Sequence, residues 1–134
     1  MFVTPLYAGL LTLFFVLLSV RVVNLRRRGI IFGDNNGEIG VTRIVRAQGN
    51  FAEYVPLALL MMAVLEASRH SIYVLHALGI ALVVARLLHG FALSFGWQPR
   101  NGRIAGAALT FAVLLIEAVL CLYQGVRGQL AWMQ

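Results

Sequence analysis

The chain has 134 residues, of which 60% are hydrophobic and only 12% are charged, and its net charge is +6. A soluble domain would contain about twice that charged fraction, so the composition excludes an ordinary soluble protein and predicts an integral membrane protein. The basic residues are all arginines and cluster at the ends of apolar segments. Membrane topology explains that pattern, so we expect no nucleic-acid partner.

The first predicted element is a membrane-spanning helix over residues 3–24, which is long enough to cross about 30 Å of hydrocarbon. It is followed by the cluster Arg26–Arg28 and by Gly29, a residue that commonly ends helices. We predict a loop over residues 29–42, with a turn at its centre in Gly33–Gly37.

The loop contains an alternation of oxygen-bearing side chains that resembles the start of a calcium-binding loop. Asp34, Asn36 and Glu38 stand at alternate positions, but Val45 occupies the place where such a loop needs an acidic residue. We therefore expect no metal site.

The second predicted span, residues 42–66, begins with a polar stripe. Arg46, Asn50 and Glu53 fall within roughly 60° of one another around a helix axis. Charged side chains at this depth are costly against lipid, so the stripe is expected to face other helices or a wet cavity. Pro56 follows within the same span and is tolerated in membrane helices.

The third predicted span, residues 72–97, contains Arg86 and His89, which share a helix face because they are three residues apart. Arg86 lies about 15 Å from the end of that span, which places it well inside the bilayer. For so deep an arginine we predict a structural ion pair, with Glu53 or Glu117 as its partner.

The fourth predicted span covers residues 104–123 and includes Glu117 well inside the bilayer. A loop with Arg100 and Arg103 precedes it, and residues 125–134 are predicted to form a short tail. The chain is thus an all-α, single-domain membrane protein over residues 1–134. The excess of arginine in the first and third loops places these loops in the cytoplasm and both termini outside.

Guanidinium groups, an amide and a carboxylate therefore meet at one membrane face. Arginine binds carboxylates in a bidentate manner, and a carboxylate such as Glu53 accepts an ammonium group. This set of residues predicts a polyanionic small ligand that also carries an amine. The alternative is a polar clamp that only holds the helices together.

The segment Arg43–Pro56, with the pattern Arg-x-x-Arg-Ala-Gln-x-Asn-x-x-Glu-Tyr-x-Pro, resembles the second-helix motif of the MAPEG family, the membrane-associated proteins of eicosanoid and glutathione metabolism. The chain length, the four spans and the Arg86-x-x-His89 pair extend the resemblance to nearly the whole chain, and it is similar to the short bacterial members. The resemblance implies a left-handed four-helix bundle in the bacterial inner membrane, surrounded by lipid and assembled as a homotrimer. It implies that glutathione binds between subunits as the co-substrate of a lipophilic small molecule.

The resemblance also implies roles for individual residues. Glutathione would be held by residues from the first three helices: Arg26, Arg46, Gln48, Asn50, Glu53, Tyr54 and His89. Either Arg100 or Arg103 would stabilise the thiolate of glutathione. Arg27 stands where one member of the family has a residue assigned as a proton donor.

One departure from the family pattern leaves alternatives open. Leu93 stands where the best-known members have a tyrosine that contacts glutathione. The expected function is a glutathione transferase, with peroxidase activity as a variant of it, and the alternative is a non-catalytic ligand-binding scaffold. A small proton-coupled multidrug exporter is disfavoured, because such exporters need a carboxylate in the first span and residues 3–24 contain none.

Overall fold

A computed structural model of the protein describes residues 2–27, 38–94 and 99–133. These residues form four helices, which are α1 (Val3–Arg27), α2 (Glu38–Ala67), α3 (Ile72–Ser94) and α4 (Pro99–Trp132). Each helix is long and apolar enough to cross a membrane. The prediction of four long apolar helices is confirmed. The turn predicted in Gly33–Gly37 lies outside the described residues, as do Arg28, Gly29 and residues 95–98.

The helices differ from the predicted spans mainly at their ends. α2 is continuous through Pro56, so the polar stripe and the apolar half of this span belong to one helix. α4 begins at Pro99 and extends to Trp132, so the prediction of a tail after residue 124 is wrong. Gly125 and Gly128 each cost about 1 kcal/mol relative to alanine, which is not enough to end a helix that no proline interrupts.

Successive helices run in opposite directions, so the bundle has an up-down-up-down order. Phe2, immediately before α1, hydrogen-bonds to Glu66 near the end of α2, and Tyr7 of α1 lies beside His76 near the start of α3. At the other end, His89 of α3 lies beside Arg103 near the start of α4. α2 and α3 each pack on all three other helices, whereas α1 and α4 make no contact with each other in the described part of the chain.

The core is apolar and is built from one stripe of each helix. Its fully buried members include Leu18 of α1, Met62 of α2, Leu82 of α3 and Val113 of α4. Large apolar side chains on the outer faces are exposed, such as Leu115, and they give the bundle the apolar surface that a bilayer requires.

At the end of the bundle where α1 starts and α2 ends, hydrogen bonds cap both of these helix termini. The Glu66 carboxylate accepts backbone N–H groups from Phe2, from Val3 at 2.9 Å and from Thr4 at 2.9 Å, which are the unpaired donors at the start of α1. After α2, Arg69 adopts a left-handed backbone with φ of 56°. The backbone amides of Arg69 and His70 donate to carbonyls of the last turn of α2, in the pattern of a Schellman motif.

Candidate functional site

The other end of the bundle contains an open cavity of about 640 Å³ between α2, α3 and α4. This volume lies within the range of small-molecule sites in proteins, roughly 300–1,000 Å³. The cavity is lined by polar and apolar residues of the three helices: Val45, Arg46, Gly49, Asn50, Glu53, His89, Leu93, Arg103, Ile104 and Ala107.

α2 contributes the polar stripe to this cavity. Arg46, Asn50 and Glu53 all line it, as their positions on one face of a continuous helix predict. Arg46 and Glu53 are exposed and Asn50 is half-buried. A positively charged and a negatively charged side chain are therefore accessible to a ligand on the α2 wall of the cavity, and the Asn50 amide lies between them.

His89 and Arg103 form the opposite wall. His89 is buried, and its Nδ1 lies 3.2 Å from the backbone carbonyl oxygen of Arg103. A carbonyl oxygen only accepts, so Nδ1 carries the hydrogen and donates it. The contact joins the end of α3 to the start of α4 and holds the imidazole ring in place.

Arg86 lies deeper in the bundle and is only 2% exposed. Its Nη1 donates to Oδ1 of Asn50 at 3.0 Å, and its Nη2 donates to the Thr110 hydroxyl and to the Gly106 carbonyl at 3.5 Å. Because a guanidinium can only donate, the amide oxygen of Asn50 must point to Arg86. The Asn50 NH₂ group is then the part of that amide left for a ligand.

The prediction that Arg86 forms an ion pair with Glu53 or Glu117 is wrong, because Arg86 pairs with neither carboxylate among the described residues. Glu117 is fully buried, but neither of its carboxylate oxygens has a hydrogen-bond partner among the described residues. It lies seven residues beyond Thr110 on α4, which is about 10 Å along the axis and out of reach of Arg86. The guanidinium instead bonds to neutral oxygen atoms.

Several predicted site residues lie near this end of the bundle but do not line the cavity. Arg26 and Arg27 are exposed at the end of α1, and Arg100 is exposed in the first turn of α4. Gln48 and Tyr54 are half-buried elsewhere on α2. The Tyr54 ring packs edge-on against Phe111 of α4, with ring centroids 5.3 Å apart.

Sequence reasoning missed the residues that shape the cavity without carrying charge. Ile104 and Ala107 line it beside Arg103, and Gly106 and Thr110 support Arg86 behind it. The small residues at positions 106 and 110 are four apart, a spacing typical of close helix–helix contacts in membranes. This spacing is the sequence signal that could have identified Gly106 and Thr110 as residues of a close helix contact.

Together the lining groups define what the cavity can bind. Arg46, Arg103 and the Asn50 NH₂ group are donors, while Glu53 is an acceptor. His89 has one ring nitrogen engaged by the Arg103 carbonyl and a second one, Nε2, without a partner in the described part of the chain. Such a set fits a small molecule with anionic groups, an amine and a polar X–H group.

Comparison with known proteins shows what the chain is similar to. The model of the MAPEG family matches residues 4–123. Inner membrane protein YecN of Escherichia coli K12 is 29% identical over 121 residues, which cover 90% of this chain and 91% of YecN. Inner membrane protein YecN of Escherichia coli O6:H1 matches with the same identity and coverage.

Proposed function

The chain belongs to the MAPEG family of membrane proteins, and on that premise we propose that it is a glutathione transferase that joins the glutathione thiolate to lipophilic electrophiles. The observation that carries the proposal is the convergence of Arg46, Asn50, Glu53, His89 and Arg103 on one open cavity. Their charges and hydrogen-bonding groups match those of a tripeptide with two carboxylates, an ammonium group, two amides and a thiol.

Four polar groups of glutathione have a counterpart in the cavity. Arg46 pairs with a carboxylate, and Glu53 accepts the ammonium group of the γ-glutamyl end. The Asn50 NH₂ group, held outward by Arg86, donates to a carbonyl oxygen of the peptide. Arg103, on the opposite wall, is the cation left to stabilise the sulfur.

The reaction follows from this arrangement. A thiolate beside the Arg103 guanidinium is present in a larger fraction at neutral pH than a free thiol, whose pKa is about 8.5. The lipophilic electrophile arrives from the bilayer and meets the sulfur at the cavity, where the S–C bond forms as the leaving group departs. Catalysis is then mainly proximity and activation of the nucleophile.

We further propose that the protein acts as a homotrimer in a bacterial inner membrane, with the cavity towards the cytoplasm. The arginines at one end of the bundle support that orientation, and YecN is named as an inner membrane protein. Among the described residues of one chain, α1 does not contact α4. Arg26 and Arg27 would therefore contribute to a glutathione site by extending from α1 of a neighbouring subunit.

The proposal is tested by titrating the purified protein with glutathione in a calorimeter and by measuring conjugation of a chloronitrobenzene. Arg103→Ala should weaken binding or rate about tenfold or more, because it removes a charge-assisted hydrogen bond. Arg100→Ala should have a smaller effect, since Arg100 does not line the cavity, and Arg127→Ala at the opposite end serves as the control. Equal losses in the first two variants contradict the role given to Arg103, and no binding of glutathione by the natural protein refutes the function.

A second function, ligand binding without turnover, is favoured by one observation. Leu93 lines the cavity and brings an apolar side chain to a position where the resemblance implies a tyrosine hydroxyl. Binding of glutathione with no conjugation of the chloronitrobenzene and no reduction of a lipid hydroperoxide would support this alternative.

A further inference from the structure

We propose that His89 is the catalytic base of this site, taking the thiol proton of glutathione through Nε2. This inference rests on the proposed function, because it concerns the same cavity and the same co-substrate. It concerns a step that Arg103 alone does not perform, since a guanidinium stabilises a thiolate but cannot accept the proton.

The first support is the tautomer of the ring. The Arg103 carbonyl lies 3.2 Å from Nδ1 and requires a hydrogen on that nitrogen. In the neutral imidazole the other nitrogen then has a free lone pair. Nε2 is therefore the acceptor, and the backbone contact between α3 and α4 selects this tautomer in the absence of ligand.

The second support is the position of the ring. His89 is 6% exposed and lines the cavity, and Nε2 has no hydrogen-bond partner among the described residues. The charged groups that share its surroundings are Arg46 and Glu53 from α2, Arg86 from α3 and Arg103 from α4. Glu53 is the other acceptor, but it is needed for the ammonium group of the ligand.

The third support is the apolar side chain one turn further along α3. Leu93 cannot exchange a proton, and no hydroxyl group lines the cavity in the described part of the chain. A neutral imidazole can accept a proton and later return it, which suits a base that must recover its starting form in every cycle.

The step balances without any further reactant. The S–H bond breaks and an Nε2–H bond forms, while the electron pair stays on sulfur and the Arg103 guanidinium stabilises the resulting thiolate. After the sulfur attacks the electrophile, the imidazolium gives its proton to an alkoxide leaving group, or to water when the leaving group is chloride. His89 is then neutral again.

Proton counting on the natural protein separates this route from direct loss of the thiol proton to solvent. Glutathione is added near neutral pH while thiolate is followed by its ultraviolet absorption and proton release by an indicator dye. If His89 takes the proton, thiolate forms with far less than one proton released per thiolate. Release of one proton per thiolate overturns the inference while leaving the proposed function intact, whereas no binding of glutathione overturns both.

Two variants add a readout that a purely structural role would not change. His89→Asn retains an amide donor for the Arg103 carbonyl, and His89→Gln places an amide near the position of Nε2, but neither accepts a proton. Both should lower kcat/KM for conjugation about 100-fold at neutral pH. The loss should shrink as pH rises through about 8.5, where the thiol ionises unaided.

The control is His70→Asn, at the opposite end of the bundle, which should keep the natural rate at every pH. A loss in the His89 variants that stays constant with pH assigns the residue to structure and overturns the inference.

Discussion

The contact between α3 and α4 at Gly106 supports a sharp prediction, because the site depends on how closely these two helices approach. A Cβ atom added at Gly106 would lie 2.6 Å from the carbonyl oxygen of Ala85 and 2.8 Å from both the Cβ and the backbone nitrogen of His89. Ordinary van der Waals contact begins at 3.4 Å. Gly106→Ala therefore requires the helices to separate by about 0.8 Å, because two of the three obstructing atoms belong to the backbone.

The size of the effect follows from two opposing contributions. Overpacking of a tight interface costs about 1–3 kcal/mol, and alanine recovers about 1 kcal/mol of helix propensity relative to glycine. The expected result is a net loss of about 1 kcal/mol in the free energy of unfolding. The separation also lengthens the contact between His89 and the Arg103 carbonyl, which is already 3.2 Å, so conjugation should fall by about 100-fold.

The measurement is thermal unfolding in detergent together with the rate of conjugation. Gly128→Ala is the matched control, because it lies on the same helix and an added Cβ meets nothing within 4 Å. This control should raise the stability by up to about 1 kcal/mol and leave the rate unchanged. If both substitutions stabilise the protein equally, the close approach of α3 and α4 at Gly106 does not exist in solution.

Three further substitutions test contacts outside the cavity, each by thermal unfolding in detergent. Glu66→Ala removes the acceptor of three backbone N–H groups at the start of α1 and should lower the free energy of unfolding by about 2 kcal/mol; an unchanged value contradicts the cap. Glu117→Leu removes a buried carboxylate that has no partner among the described residues and should raise the stability by about 1–3 kcal/mol, whereas a less stable variant refutes this account. Arg69→Gly relieves a left-handed backbone and should gain about 1 kcal/mol, while Arg69→Ala, which keeps the Cβ atom, should gain nothing.

The sequence was sufficient for features that depend on local periodicity. Runs of apolar residues long enough for a bilayer predicted four helices, and four were found in the described part of the chain. The spacing of Arg46, Asn50 and Glu53 predicted one shared face, and all three line one cavity. These features are set by the helical repeat within a single segment, so no distant contact is needed to infer them.

The partners of the deeply placed charges were not predictable in the same way. Charge alone favoured a carboxylate for Arg86, but the guanidinium bonds to Asn50 and Thr110, and Glu117 lies about 10 Å further along α4. Which residues oppose each other across two helices depends on the loop that joins them and on how far the helices slide past one another. Neither quantity can be read from residue types.

The amino-acid sequence by itself therefore determined the membrane class, the number of helices and the polar face of α2, because composition and a repeat of 3.6 residues decide those properties within each segment. Only the tertiary structure decided that Arg103 rather than Arg100 lines the cavity and that Glu66 caps α1. It also decided that a backbone carbonyl of α4 sets the tautomer of His89. Each of these contacts joins residues of different helices, and their distances arise only when the packed bundle fixes the offset between its helices.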